Sequence, residues 1–244
     1  MSLTTAAEIA IAQEIQHSFG RKSRPTLPTL EYAARSLCAR ALNGDYCDFL
    51  EIGAGRMAFV LADISGKGLP AALLMASLRA SIIAQRPDAF NNLPRMLQRV
   101  HELFYESSPP DHFASLFFAE YNERSSCLRY VNCGHVPPVL FRDHGDIERL
   151  ESTAPVVGML ENWEGTVNEV ALRPGDVLVM FTDGVTEAKN PAADDFGCGR
   201  LIQTIRNSFS FKPASLAESV LQAVQVFSDF RLQDDVTVMV GRFR

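Results

Sequence analysis

Carboxylates stand at the ends of apolar, strand-like runs at four separate places in this sequence. Asp63 follows the run 57–62, and Asp183 comes shortly after the run 177–181. The other acidic positions beside such runs are Asp45, Asp48, Asp234 and Asp235. Carboxylates gathered at adjacent strand ends repel one another and lose hydration, so a folded chain tolerates them when a cation neutralises the group. The pattern therefore predicts a site for hard divalent metal ions.

One of these acids, Asp63, lies between a predicted strand and a predicted helix. Residues 69–86 have the pattern of a long amphipathic helix with Pro70 in its first turn. Gly66 and Gly68 allow a tight turn and leave room for a ligand close to the backbone. A single Asp at such a place is also an ordinary turn residue, so the repetition of the pattern is what favours a functional site.

Six short motifs occur in order between residues 44 and 237. They are Gly-Asp-Tyr-Cys-Asp (44–48), Asp-Ile-Ser-Gly-Lys-Gly with Pro-Ala-Ala (63–72), Asn-Cys-Gly-His-Val-Pro-Pro (132–138), Pro-Gly-Asp (174–176), Phe-Thr-Asp-Gly-Val-Thr-Glu-Ala (181–188) and Asp-Asp-Val-Thr (234–237). Together they resemble the SpoIIE/RsbU-like branch of the metal-dependent (PPM, type 2C) serine/threonine protein phosphatases. The resemblance runs from about residue 30 to the C-terminus. The chain departs from it at Asn43, where the family commonly has Gly.

The element pattern and the resemblance agree on an α+β fold. Strands are predicted at 30–39, 48–52, 57–62, 113–121, 127–132, 139–142, 147–150, 167–172, 177–181 and 236–243, and helices at 5–19, 69–86, 93–107, 199–208 and 213–227. Two stacked, mainly antiparallel sheets flanked by helices fit this order, as does the family's four-layer α-β-β-α sandwich. Residues 1–29 are interpreted as an N-terminal helix and loop, either packed on its own domain or the remnant of a signalling helix. Residues 30–244 are interpreted as one PPM-type phosphatase domain.

The resemblance implies a catalytic site with two Mn²⁺ or Mg²⁺ ions and a metal-activated water that hydrolyses phosphoserine or phosphothreonine. In such a site Asp63 bridges both ions, and the backbone carbonyl of Ile64 completes the coordination of one. Asp183 and Asp234 hold the second ion, and Asp45 binds directly or through a water. The second-tier candidates are Asp48, Asp235, Gly184 and His135. Of these, His135 is either a general acid for the leaving group or a histidine hydrogen-bonded to the backbone.

Composition indicates which partners and which compartment suit this chain. The 244 residues are 47% hydrophobic, enough for a large core, and the net charge of −6 makes nucleic acid an unsuitable partner. No apolar run approaches the length that spans a bilayer, and no signal-peptide pattern opens the chain. The five cysteines are odd in number and have no C-x-x-C spacing. This predicts reduced, mostly buried thiols and a cytoplasmic protein without a membrane partner.

Two functions of different classes follow from these observations. The first is a metal-dependent phosphatase. By resemblance it acts on a phosphorylated protein, a small anti-sigma-factor antagonist of a bacterial partner-switching pathway, with a homodimer or an activator protein ordering the site. The second is a non-catalytic partner-binding module that keeps the fold and has lost the chemistry. Retention of all four core positions, Asp45, Asp63, Asp183 and Asp234, argues against the second.

Overall fold

The computed structural model describes residues 3–19, 26–85 and 87–244. Within them the helices are α1 (Leu3–Ser18), α2 (Leu69–Ile83), α3 (Leu93–Ser107), α4 (Asp183–Thr186), α5 (Gly197–Asn207) and α6 (Pro213–Phe227), with a 3₁₀ turn at Pro87–Asn91. The strands are β1 (Leu30–Leu37), β2 (Tyr46–Gly53), β3 (Arg56–Ile64), β4 (Ala114–Asn122), β5 (Cys127–Cys133), β6 (Val139–Phe141), β7 (Ile147–Arg149), β8 (Asn168–Ala171), β9 (Val177–Phe181) and β10 (Val236–Phe243).

The described strands form two antiparallel sheets of five strands each. The first has the order β1-β10-β9-β6-β7 and the second the order β2-β3-β4-β5-β8. Most of the second sheet is a meander, because β2 to β5 are neighbours in both sequence and space. The first sheet is closed by β1 and β10, which pair along their whole length from Leu30↔Phe243 to Leu37↔Val236. Strands far apart in the chain are thus brought together.

Alternation along β3 shows how the layers pack. Met57, Phe59 and Leu61 are fully buried and face the first sheet, where they meet residues such as Met180. The alternate residues of β3 pack against α2 and α3, as expected for a strand whose successive side chains point to opposite faces. Helices α5 and α6 cover the outer face of the first sheet. The predicted four-layer α-β-β-α sandwich is confirmed.

Helix α1 lies beside the domain rather than inside these layers. Gln13 and Gln16 donate side-chain hydrogen bonds to the carbonyls of Ala41 and Asn43. Residues 20–25 of the predicted loop, and Arg86 at the predicted end of α2, lie outside the described residues. The division at residue 29 stays a prediction. None of the helices in the described residues is long and apolar enough to cross a membrane.

The turn at 173–176 links the two layers, because its flanking strands β8 and β9 belong to different sheets. Its buried Asp176 accepts hydrogen bonds from the guanidinium of Arg142 and from two backbone N–H groups, which holds the crossing in place. The five cysteines are free, but only Cys133 is buried and Cys38 is exposed, so the expectation of mostly buried thiols was wrong.

Replacing Met180 by Ala tests the layer between the sheets. Met180 is 0% exposed, so the change leaves a cavity and should lower the free energy of unfolding by about 2–5 kcal/mol. Met159 is 47% exposed, and replacing it by Ala should change the free energy of unfolding by about 0.5 kcal/mol or less. Urea unfolding of both variants measures the difference. Equal effects would show that Met180 does not lie in a packed layer.

Candidate active site

Carboxylates from both sheets meet at one end of the sandwich. The second sheet contributes Asp63, near the end of β3, and Asp45, which directly precedes β2. Strands β2 and β3 are antiparallel, with Tyr46 paired to Ala62. Continuing this register by one residue places Asp45 beside Asp63.

The first sheet contributes the other three acids. Asp183 begins α4 just after β9, and Asp234 with Asp235 directly precedes β10. Because β9 and β10 are antiparallel neighbours, the end of one lies beside the start of the other. The backbone N–H of Thr182 donates to the carbonyl of Thr237 at 3.1 Å, which extends the pairing up to the acids.

A cavity of about 300 Å³ opens between these strand ends. Asp63, Asp183 and Asp234 line it together with Ile64 and Lys67. The structure thus brings three of the four predicted catalytic aspartates to one space, together with Ile64, the residue whose carbonyl is a predicted ligand. The fourth lies deeper.

Asp45 is 6% exposed and is held by two threonine hydroxyls. Thr182 Oγ1 donates to Asp45 Oδ2 at 2.9 Å, and Thr237 Oγ1 donates to the same oxygen at 2.6 Å. Thr182 Oγ1 in turn accepts the backbone N–H of Thr237 at 3.0 Å. The first sheet therefore fixes a carboxylate that the second sheet supplies.

Asp235 anchors a loop. Its two carboxylate oxygens accept the backbone N–H groups of Ala39 and Gly44, at 2.8 and 2.7 Å. Its backbone packs tightly against Gly184, where a Cβ atom would lie 2.0 Å from the Asp235 carbonyl oxygen. Gly184 is thus required by close approach of the backbone, and Asp235 holds the loop before Asp45 in place.

Mutual repulsion is visible in the acidity of these groups. Burial, and then the charges of Asp183, Asp234 and Asp235, raise the pKa of Asp63 to about 7. Burial and the charge of Asp63 raise the pKa of Asp45 well above its ordinary range, against two hydroxyl hydrogen bonds that lower it. Burial is also the main cause of the raised pKa of Asp183. The carboxylates therefore ionise together only at a cost, which a divalent cation would offset.

This donor set fits Mg²⁺ or Mn²⁺. Both ions prefer carboxylate and carbonyl oxygens, and Mg²⁺ keeps several waters when one or two carboxylates bind it. Among the described residues no three or more His, Cys, Asp or Glu side chains converge closely enough to hold one metal ion by themselves. Asp63, Asp183 and Asp234 therefore surround a space that ions and waters would share, rather than converging on one point.

Lys67 supplies positive charge to the cavity. Its Nζ lies 2.6 Å from Asp234 Oδ2 and donates to the carbonyl of Gln233 at 2.8 Å. It is the one Lys or Arg among the described residues that line this cavity. The ammonium group therefore competes with a metal ion for Asp234.

His135 has the contacts of a structural residue. Its backbone N–H donates to Asn132 Oδ1 at 2.8 Å, and its Nδ1 lies 2.8 Å from Ser115 Oγ. Burial lowers its pKa to about 4, so the ring is neutral at neutral pH. A neutral imidazole cannot protonate a leaving group. The ring is hydrogen-bonded to a serine side chain, and the role of His135 stays a prediction.

Asp48 faces other partners. The hydroxyl of Tyr46 donates to Asp48 Oδ2 at 3.2 Å, and the N–H of Phe49 donates to Oδ1 at 2.8 Å. Asp48 does not belong to the described residues that line the cavity. It lies on β2 beyond Asp45, which leaves it outside the group that shares the cavity.

Sequence reasoning gave no separate role to Thr182 or Thr237, although both lie within the six motifs. Both hydroxyls bind Asp45, and both residues are fully buried at strand ends that are otherwise apolar. A buried hydroxyl needs a hydrogen-bond partner, so a threonine in an apolar strand next to a predicted ligand is a usable signal.

Comparison with known proteins decides the family. The model of the family described as Stage II sporulation protein E (SpoIIE) matches residues 53–244. The chain belongs to the SpoIIE family. Its predicted place in the SpoIIE/RsbU-like branch of the metal-dependent protein phosphatases is thereby confirmed. The match begins after Asp45 and Asp48, so their assignment depends on the geometry described above.

Curated relatives extend the similarity over nearly the whole chain. Protein IcfG of Synechocystis sp. is 28% identical, over 97% of this chain and 41% of IcfG. Phosphoserine phosphatase RsbU of Bacillus subtilis is 26% identical, over 97% of this chain and 70% of RsbU. The chain of this SpoIIE family member thus spans less than half the length of IcfG.

Solved structures share the fold. The SiaA-PP2C domain of Pseudomonas aeruginosa has a TM-score of 0.83 at 19% identity, over 99% of this chain and 97% of that chain. The catalytic domain of the serine threonine protein phosphatase PstP, in complex with 2 manganese ions, has a TM-score of 0.65 at 17% identity, over 88% and 98%. These likenesses establish the sandwich architecture independently of the motifs.

Manganese should stabilise the protein more at about pH 7.5 than at about pH 5.5. Between its ordinary value of 3.8 and its folded value of about 7, Asp63 keeps a proton in the folded state that the unfolded state has released. The stability of the metal-free protein therefore falls as pH rises through this range. Mn²⁺ binds the ionised carboxylates, and fewer protons compete for them at the higher pH. The increase in stability on adding Mn²⁺ should therefore be larger at about pH 7.5.

Thermal unfolding with and without MnCl₂ at both pH values measures this effect. The lowered pKa of His135 opposes it below about pH 6.5 but is common to both samples at a given pH, so it cancels in the difference. Asp63→Asn should show little stabilisation by MnCl₂ at either pH. An equal shift at both pH values in the unmodified protein would contradict the prediction.

Replacing Lys67 by Gln should tighten Mn²⁺ binding by up to about fivefold. A partly exposed ion pair is worth at most about 1 kcal/mol, and the metal no longer has to displace it. Lys189→Gln is the matched control, because Lys189 pairs with Asp195 at 2.7 Å and is not among the described residues that line the cavity. This substitution should leave binding unchanged. Calorimetric titration compares the variants, and weaker binding to Lys67→Gln would refute the competition.

Proposed function

We propose that this chain is a metal-dependent serine/threonine protein phosphatase that hydrolyses phosphoserine or phosphothreonine. The observation that carries the proposal is the meeting of Asp63, Asp183 and Asp234 around one cavity, with Asp45 fixed beside them. Family membership supports it, as does the name of RsbU, a phosphoserine phosphatase. The 2 manganese ions in the PstP structure support a dinuclear centre.

The residues have distinct tasks in this proposal. Asp63 would serve both ions, and the Ile64 carbonyl would complete the coordination of one of them. Asp183 and Asp234 would hold the second ion, and Asp45 would bind directly or through a water. When bound, Mn²⁺ or Mg²⁺ ions in such a carboxylate site supply an activated water and neutralise phosphoryl oxygens.

The chain also shapes the approach of the substrate. The cavity of about 300 Å³ suits a phosphorylated side chain rather than a larger ligand. Four aspartates would repel a dianionic phosphate, and the ammonium group of Lys67 at Asp234 reduces that repulsion. The charge of the bound ions completes the neutralisation.

The cellular role follows by resemblance to this branch. The phosphorylated protein in the proposal is a small anti-sigma-factor antagonist of a partner-switching pathway, met in the cytoplasm. A homodimer or an activator protein orders the site. The competing role is a non-catalytic partner-binding module with the same fold, and metal-dependent turnover separates the two.

Substituting the proposed ligands by their amides should abolish activity. Hydrolysis of para-nitrophenyl phosphate should require Mn²⁺, and Asp63→Asn and Asp183→Asn should each lower the rate by more than about 100-fold, because a neutral amide is a poor ligand for a hard cation. Asp146→Asn is the matched control, since that side chain is 84% exposed and far from the cavity in the fold. It should retain the full rate.

Folding of each variant is checked by thermal unfolding without metal. Activity that survives in folded Asp63→Asn would overturn the assignment of the site. Mn²⁺ binding without turnover in the unmodified protein would favour a domain that awaits its activator. Absence of both binding and turnover would favour the partner-binding module.

A further inference from the structure

The proposed ligand Asp45 is connected to the N-terminal helix by an unbroken set of hydrogen bonds. At the carboxylate end, Thr182 and Thr237 both donate to Oδ2, at 2.9 and 2.6 Å. With this oxygen engaged twice, Oδ1 is the oxygen that Asp45 can offer to a cation. The orientation of Oδ1 therefore depends on the two hydroxyl groups.

Counting protons gives the direction of the next bonds. Thr237 has one hydroxyl proton, and this proton is used in the hydrogen bond that the hydroxyl donates to an ionised Asp45. In the contact of 2.9 Å between Ser36 Oγ and Thr237 Oγ1, Ser36 is then the donor. Ser36 in turn accepts from Asn43 Nδ2 at 2.9 Å. Every donor in this set points towards the carboxylate, which stabilises its negative charge.

Asn43 closes the set on the backbone side. Its Oδ1 accepts the N–H of Asp45 at 2.8 Å. One side chain thus positions both the backbone of Asp45 and, through Ser36 and Thr237, its carboxylate. The glycine that is common here in the family has no side chain for either contact.

Gln16 of α1 holds Asn43 in turn. Its Nε2 donates to the Asn43 carbonyl at 2.8 Å, and its Oε1 accepts the Asn43 N–H at 3.0 Å. A primary amide that meets both backbone groups fixes the position and the orientation of that residue. Gln13 makes a single bond to Ala41 in the same loop, so it attaches the helix without touching Asn43.

We propose that Gln16, Asn43 and Ser36 are positioning residues for Asp45, and that through them α1 sets the affinity of the site for its divalent ion. The inference rests on the proposed function, because it takes Asp45 as an ion ligand. The cavity is lined by other residues. These three therefore act on the geometry of Asp45 and not on the reacting atoms.

Calorimetric titration of the full chain with MnCl₂ tests the proposal. Ser36→Ala, Asn43→Ala and Gln16→Leu should each raise the dissociation constant about 10-fold or more, the range found when partners of metal ligands are removed. Ser36→Thr keeps the hydroxyl and should restore binding. Gln13→Leu removes a helix contact of the same chemical kind outside the set and should bind within about twofold of the unmodified protein.

Activity gives a second readout that a merely structural role would not reproduce. With para-nitrophenyl phosphate, the Mn²⁺ concentration for half-maximal rate should rise in the three variants, while kcat at saturating Mn²⁺ stays close to that of the unmodified protein. Ser36 is exposed at the end of β1, so Ser36→Ala should fold normally. A lower kcat at every Mn²⁺ concentration, with an unchanged dissociation constant, would overturn the proposal.

The comparison with Asp63→Asn separates the two levels of inference. If the unmodified protein binds Mn²⁺, Asp63→Asn does not, and Ser36→Ala and Asn43→Ala bind normally, the positioning role is refuted and the phosphatase proposal stands. If Asp63→Asn binds Mn²⁺ as tightly as the unmodified protein, the metal site itself is wrongly assigned and the positioning role fails with it.

Discussion

The repulsion among buried carboxylates is the constraint on which the site depends. Asp45 and Asp63 come from one sheet and Asp183, Asp234 and Asp235 from the other, and burial keeps water from screening them. The protein answers part of this charge itself, with threonine hydroxyls, backbone N–H groups and one ammonium group. A small, highly charged cation would offset the charge that remains.

The sandwich holds its aspartates in two ways, by packing of a buried strand and by hydrogen bonds. β3 is buried on both faces, so Asp63 is carried on a strand that cannot shift without disturbing two cores. Asp45 lies at the end of a loop and is held by threonine hydroxyl groups. Asp235 holds the same loop through hydrogen bonds from the backbone N–H groups of that loop. Asp63 is therefore fixed by packing, whereas Asp45 is fixed by polar contacts that single substitutions can remove.

Local patterns were sufficient for some of these features and not for others. Asp63 and Asp183 could be found because an acid after an apolar run and before a helix is visible within a short window. The bond from Thr237 to Asp45 joins residues at distant points of the chain, and it depends on how β9 and β10 align, which no local pattern encodes. The same limit explains the turn at 173–176, since Pro and Gly predict a turn but not the sheet to which each flanking strand belongs.

The pairing of β1 with β10 has a consequence for how the group of acids assembles during folding. Asp234, Asp235 and Thr237 lie at the start of β10 or just before it, while Asp45 and Asp63 precede most of the domain. Before β10 pairs with β1 and β9, Asp45 lacks the hydroxyl of Thr237, and the loop before Asp45 lacks the carboxylate of Asp235. Closing so long a loop is slow, so the acids of the two sheets should come together late in folding.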